Sequence, residues 1–261
     1  MAKQLYQHFN PSEYETVEKI LDLVDRLETY YCHQLTGFLD PRQQEIAHSI
    51  LRQAGVRYYS SQDYYPLEQA RFILAPDYYQ LELTDFEMAL VEISYHGKFA
   101  QLSHSQILGS LLNGLGLKRQ VIGDIIVAKG YAQVVLDQQM ADYAVRETRK
   151  MARTGVQLRQ IDFEQLIRSE EKTATTLYLV SSLRLDKLVA LLTGQSRQQA
   201  QVMITSGKVK VNHRESLKVT QEIAIGDLLS IRGSGRYHLT EHIGISKSGK
   251  HKVMIAKIVN S

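Results

Sequence analysis

Between Ser181 and Ser261 the hydrophobic spacing switches from the helical period to the alternating one, and that order leaves few folds open. Leu185, Leu188, Val189 and Leu192 stand at i, i+3, i+4 and i+7, one apolar stripe on a short helix that Gly194 ends. Ser196 starts a second helix, with Gln199 as its capping-box partner, Ala200, Met203 and Ile204 on the buried face, and Gly207 as the stop. Lys208-Val209-Lys210-Val211-Asn212 then alternates as a strand, and a Gly226-Asp227 turn sits inside the run Ile223–Arg232 that leads into another strand. The same segment is basic, with 13 Lys and Arg against 5 Asp and Glu, net +8, whereas Met1 to Val180 carries 18 against 23, net −5. Positive charge clustered at one end is the footprint of a polyanion binder, because each Lys or Arg that neutralises a phosphate releases condensed counterions, but charge alone fits a solvated basic face as well.

Arg184-Leu185-Asp186, Ser196-Arg197, Ala200, Ile204, the run Gly207–Asn212 and Gly226-Asp227, taken in this order and spacing, resemble the S-four RNA-binding domain over about Ser181 to Tyr237. The resemblance implies an RNA surface on the two helices and the following strand, here Arg184, Lys187, Arg197, Gln198, Lys208 and Lys210, to which Arg232 and Arg236 are added as further RNA-binding candidates. Arg184 and Arg197 stand at or beside helix N-termini, where backbone donors also face phosphate and a guanidinium grips it bidentately. Asp186, in a first helical turn, is expected to offset the helix macrodipole.

The expected organisation is α+β in three parts, an acidic, mostly helical region at 1–69, an α+β domain at 70–172 and the basic module at 181–261, with a Thr/Ser-rich linker at 173–180 before the last. Asn10-Pro11-Ser12-Glu13 reads as a helix start before Val17, Ile20, Leu21, Val24 and Leu27, and Asp40-Pro41 repeats the signal before Ile46, Ile50 and Leu51, with Gly55 as the stop. Up to Lys98 the balance is 8 Lys and Arg against 15 Asp and Glu, net −7, which is unsuited to touching phosphate first. The doublets Tyr58-Tyr59, Tyr64-Tyr65 and Tyr78-Tyr79 read as half-buried residues beside strands in preference to stacking platforms for bases. Residues 1–10 carry no leader pattern, no run of eighteen apolar residues exists, and Cys32 stands alone, all of which suit a cytoplasmic protein without a membrane span.

From Arg71 the period becomes that of strands, at Arg71–Leu74, Ala89–Ile93, Ile122–Val127 and Tyr131–Leu136, interleaved with a helix through Ile107, Leu108, Leu111 and Leu112 and another from Gln138 to Arg153. That order suggests an RNA-recognition-like sandwich. Lys129–Leu136 resembles the signature strand of that fold, yet Gln133 and Leu136 occupy two of its aromatic positions, so Tyr131 alone could stack on a base. Arg146, Arg149, Lys150 and Arg153 fall at i, i+3, i+4 and i+7, which predicts one basic stripe on a helix, either a solvated face or a supporting RNA-binding surface.

Leu108–Leu111, Gly116–Ile125 and Asp40-Pro41-Arg42 resemble the bacterial YlmH family, whose members place this middle fold before a C-terminal S-four domain. The chain departs from many relatives after His104, where Ser105 and Gln106 replace an Arg-Asp pair. The resemblance implies a non-enzymatic RNA-binding protein of translation, with structured RNA, the large ribosomal subunit and tRNA as partners in rescue of stalled complexes, and without DNA, membrane, metal or cofactor. Catalytic readings fail on residues. Arg184-Leu185-Asp186 resembles the nucleophile segment of pseudouridine synthases, but Leu183 stands where a glycine is needed. His242-Ile243-Gly244-Ile245 lacks the second His of a class I synthetase motif, and Gly114-Leu115-Gly116 lacks a third glycine. Two alternatives stay open: an RNA-modifying enzyme with its site in the middle domain, and an adaptor that recruits a protein through the acidic half.

Overall fold

A computed structural model describes residues 9–95, 101–167 and 172–259, so most of the stretch read for a leader, 1–8, lies outside the described residues. Contacts divide the chain into two units, Met1–Ser169 and Glu170–Ser261. The fold is α+β.

In the first unit, helix α1 (Tyr14–Tyr30) follows the turn Pro11–Glu13, in which the Glu13 carboxylate accepts from the Asn10 amide at 2.9 Å. Strand β1 (Gln34–Leu35) leads to helix α2 (Pro41–Ala54), capped by a reciprocal Asp40–Gln43 box and ended by Gly55 at φ 67°. Strands β2 (Arg57–Ser60) and β3 (Phe72–Ala75) complete a three-stranded antiparallel sheet in the order β1-β3-β2. The strand expected to open the middle domain therefore belongs to the amino-terminal sheet, which makes the region at 1–69 less helical than its pattern suggests. All four residues of β3 are buried, because Phe72 and Leu74 face the α1–α2 core while Ile73 joins Phe38, Leu67, Phe86, Met88, Leu90 and Val135 on the other side. A short apolar run without alternation cannot be assigned to a sheet from its period.

The next sheet is built from β4 (Met88–Ser94), β5 (Ile122–Ala128), β6 (Tyr131–Asp137) and β9 (Gln157–Ile161), with helices α3 (His104–Gly109) and α4 (Gln138–Glu147) between its strands. Its spatial order β5-β6-β4-β9, all antiparallel, is the β-α-β-β-α-β arrangement of RNA-recognition-like domains. Helix α4 stops at Glu147, short of the predicted end at Arg153. Thr148 turns extended, and β7 (Lys150–Met151) and β8 (Thr154–Gly155) form a hairpin that buries Met151. Arg146 thus ends a helix while Arg149, Lys150 and Arg153 sit on or beside the hairpin, so the predicted single-helix stripe does not form, although all four side chains are exposed.

The two sheets of this unit face each other. Ala132, Val134 and Leu136 of β6 pack toward α3 and α4, whereas Val135 packs with β3 residues and Phe38. Arg71, buried in this joint, donates to the carbonyls of Thr36 and Glu87 at 2.9 Å each and pairs with Asp137 at 3.1 Å. Asp124 accepts from the amides of Glu68 and Gln69 at 2.7 and 2.8 Å, and burial raises its pKa against the pull of those bonds. Gly123 precedes it because a Cβ there would lie 2.8 Å from the Phe38 ring.

The second unit is a six-stranded antiparallel sheet with two helices on one face. Strand β10 (Lys172–Val180) pairs along its length with β15 (His251–Val259), so the segment expected to be a linker is the outermost strand of the module. Its threonines and leucines fit a half-exposed pleated surface, which by composition alone resembles a linker. Between these strands lie α5 (Leu185–Thr193), α6 (Arg197–Thr205), β11 (Val209–Val211), β12 (Arg214–Glu215), β13 (Leu228–Ile231) and β14 (Gly235–Ile245). Leu185, Leu188, Val189, Ala200 and Ile204 bury against Val209, Leu229, Ile231, Leu239, Val253 and Ile255. A fragment cut at Ser181 would strip β10 from this sheet.

Two glycine substitutions separate joint packing from helix propensity. Gly123→Ala is expected to destabilise the first unit by about 1–3 kcal/mol in urea unfolding, through overpacking. Gly109→Ala, where a Cβ meets nothing within 4 Å at φ −61°, is expected to be neutral or to gain up to about 1 kcal/mol. Equal effects of the two would contradict the close packing at Phe38.

Candidate nucleic-acid interface

The residues implicated in RNA contact are arranged around one carboxylate. Leu183, Arg184 and Leu185 bind the 219–223 loop, with Ile223 donating to the Leu183 carbonyl and Leu185 to that of Gln221, which anchors the start of α5. Asp186 in the first turn of α5 is fully buried, at 0% exposure. Arg184 reaches it with Nε and Nη2 at 3.2 and 3.0 Å, Arg197 with Nε at 2.8 Å, and Gln201 with Nε2 at 3.4 Å. Arg197 and Gln201, four apart on α6, project on one face toward the start of α5. Asp186 therefore ties two helix N-termini together through side chains, a stronger role than complementing the dipole. Desolvation opposes ionisation of Asp186, but the hydrogen bonds from Arg184, Arg197 and Gln201 outweigh it and lower its pKa to about 2.

Arg184 and Arg197 are thus ion-paired, not the independent cations that their position near helix ends suggested. Their side chains remain 31% and 51% exposed, and neither uses Nη1 on Asp186 in these bonds, so each fork keeps donors for a second acceptor. Gln198 is exposed beside Arg197, and Lys187 is half-buried one residue after Asp186. Lys208 and Arg232 are exposed neighbours across the sheet, joined by a bond from the Arg232 amide to the Lys208 carbonyl at 2.9 Å. Lys210 and Arg236 lie elsewhere. They pair in register through Ser230, on the sheet face opposite the one that Val209, Val211 and Tyr237 present to the helices. The eight candidates therefore form a helix-end group, a strand-end pair and a pair on the helix-free face.

Distant parts of the sequence pattern also meet. Asn212, in the left-handed region at φ 48°, donates to Asp227 at 2.7 Å and accepts from the Leu228 amide at 2.8 Å, while Asp227 accepts from the Ala224 amide at 2.8 Å. Asn212 and the Gly226-Asp227 turn are thus one structural joint below the cationic strand.

In the first unit, the sheet face that RNA-recognition domains offer to bases is covered at the end that carries Leu90, Val135 and Ile161, while Tyr131 and Ser94 at its other end are half-buried and Gln157 and Arg159 are exposed. Gln133, at the first missing aromatic position, is 2% exposed, donates to the Gln165 carbonyl and accepts from the Ile167 amide at 2.9 Å each. Ser105 and Gln106 belong to the start of α3, where Ser103 and Gln106 cap each other. Among the described residues, no group of three or more His, Cys, Asp or Glu is placed to hold a metal ion, and no helix is long and apolar enough to cross a membrane.

Asp186 gives this module a specific acid response. Because its folded pKa of about 2 lies below its ordinary value of 3.8, its contribution to stability is complete above that value and is lost as pH falls from there through 2. Urea unfolding from about pH 5 to about pH 2 is expected to show this loss in the native chain and a shallower one in Asp186→Asn. Identical pH profiles would contradict the clamp.

Three family models match the chain: "YlmH, N-terminal" over residues 12–79, "Putative RNA-binding domain in YlmH" over 82–165, and the S4 domain over 183–228. A protein of Bacillus subtilis (strain 168) named ribosome-associated protein quality control protein P2 is 36% identical over 249 residues, spanning 95% of this chain and 96% of its own. A solved structure titled cell division protein ylmH, from Streptococcus pneumoniae, matches at 34% identity with a TM-score of 0.56, covering 62% of this chain and 99% of that one. Similarity along nearly the whole length, with family models over both the acidic and the basic parts, makes this chain a member of the YlmH family.

Proposed function

We propose that this protein binds structured RNA of the large ribosomal subunit, together with peptidyl-tRNA held there, and does so without chemistry of its own, in the rescue of stalled ribosomal complexes. One observation carries the reading: the S4 match at 183–228 falls on the unit in which positive charge is concentrated and in which cations gather at two helix N-termini. The relative named for ribosome-associated quality control supports the ribosomal setting. In this reading Arg184 and Arg197 hold phosphate with the donors that Asp186 leaves over, and Lys187, Gln198, Lys208 and Arg232 extend the contact along the backbone. Lys210 and Arg236 form a separate flank. Arg146, Arg149, Lys150 and Arg153 offer a supporting surface at the rim of the middle domain, where all four side chains are exposed.

The lysines test the interface cleanly, because removing Arg184 or Arg197 would also leave a buried carboxylate under-paired. Replacing Lys187, Lys208 and Lys210 together with Ala is expected to leave circular dichroism unchanged and to reduce the salt slope of RNA binding by roughly one unit for each phosphate that is no longer neutralised. In sucrose gradients the native chain is expected to travel with free large subunits and the triple variant to stay near the top. Undiminished co-sedimentation of a folded triple variant would move the RNA site off this module.

A further inference from the structure

Where α1 ends, the acidic unit carries aromatic side chains that its core does not use. Tyr30 and Tyr31 are each 69% exposed and Tyr78 is 70% exposed. Tyr31 caps α1 in the left-handed region at φ 52°, an uncommon conformation for a bulky residue, and its carbonyl accepts from the Tyr78 hydroxyl. Further rings adjoin this pair in sequence. His33 lies 5.0 Å from Tyr79, Tyr79 lies 6.1 Å from Tyr59, and the Arg57 guanidinium sits 5.2 Å above Tyr59 while donating to the Asp77 carbonyl. Tyr79 also donates to Asp85, which accepts from the Glu82 amide at 2.9 Å. The cluster is therefore built: half-buried Tyr59 and Tyr79 are held by specific contacts to the exposed His33 and Arg57, and Tyr30, Tyr31 and Tyr78 stand exposed beside them. Exposed adjacent tyrosines in such a setting have the composition of an interface core, not of ordinary surface.

Charge selects the occupant. Glu28 stands one turn before Tyr31, Asp77 precedes Tyr78, and Glu82 and Asp85 flank the contact to Tyr79, within a segment of net −7 up to Lys98. The Arg57 cation that lies over these rings is already engaged by Tyr59 and Asp77. RNA phosphates would be repelled here. Tyrosine faces beside carboxylates instead suit guanidinium and ammonium groups, which stack on the rings and pair with the acids. We propose that this tyrosine cluster is a docking surface for an arginine- and lysine-rich segment of a protein partner, a role separate from the RNA contact of the basic unit.

A short fluorescein-labelled peptide alternating arginine and glycine serves as the probe, with anisotropy read against the full chain at physiological salt. The native chain is expected to bind it, and Tyr31→Ser with Tyr78→Ser to weaken binding about tenfold, as befits removal of two aromatic faces. Tyr78→Phe keeps the ring and loses the hydroxyl bond to Tyr31, so it is expected to bind as the native chain does. A labelled RNA hairpin is expected to bind all three chains alike through the basic unit. Absence of peptide binding, equal binding by the double Ser variant, or loss in Tyr78→Phe would overturn the proposal. A fall in hairpin affinity confined to the tyrosine variants would assign the surface to RNA instead. Failure of every chain to bind the hairpin would count against the RNA reading and leave this one standing.

Discussion

The fully buried carboxylate of Asp186 sets the geometry on which the basic unit depends. A charge held at that depth is stable only if its lone pairs are filled, and Arg184, Arg197 and Gln201 fill them from two helices at once. The pairing fixes the starts of α5 and α6 against each other. It also orients two guanidinium groups whose remaining donors point away from the acid. With one carboxylate among two arginines the cluster keeps a net positive charge, and the dipoles of two helix N-termini add to it. The structural role of these arginines and the RNA contact proposed for them fall on the same side chains, which is why their removal cannot isolate either one.

In the other unit the decisive constraint is a sheet covered on one face by helices and over part of the other by the amino-terminal residues. A four-stranded sheet in RNA-recognition order ordinarily leaves one face for bases, but here Phe38, Leu67 and Ile73 of the amino-terminal part pack on one end of it, against Leu90 and Val135. Arg71 and Asp124 seal the edges of that joint with bonds that satisfy backbone groups it would otherwise bury unpaired. The RNA-recognition architecture of the middle domain thus leaves only the Tyr131 end of that face open, beside Ser94, Gln157 and Arg159. The charge balance differs along the chain, net −5 up to Val180 and net +8 from Ser181.

How much of this is legible in the sequence depends on whether a signal is local. The Ser196–Gln199 box, the Gly194 stop and the Asp40–Gln43 box are contained within a few residues, and each forms as its pattern dictates. Strand β3 is legible as a strand but not as a member of its sheet, since a run buried on both faces carries no period. Strand β10 escapes the pattern because its threonines suit a linker as well as a strand, and its partner β15 lies at the far end of the module. The end of α4 is hidden because cations at helical spacing continue into a hairpin, where Ala152 at φ 50° makes the turn. For the site, the cations are legible by type and place, but their division by Asp186 requires the fold. The spacing of Arg197 and Gln201 is the one signal that points to a shared acceptor.

Ultraviolet cross-linking of the full chain to large-subunit RNA, followed by mass spectrometry of the attached peptides, tests the central claim most directly. Cross-links are expected to fall on the segments 183–210 and 228–236, with few on the amino-terminal region at 12–79. Cross-links concentrated on the acidic region, with none on the segment that joins α5, α6 and β11, would contradict the account.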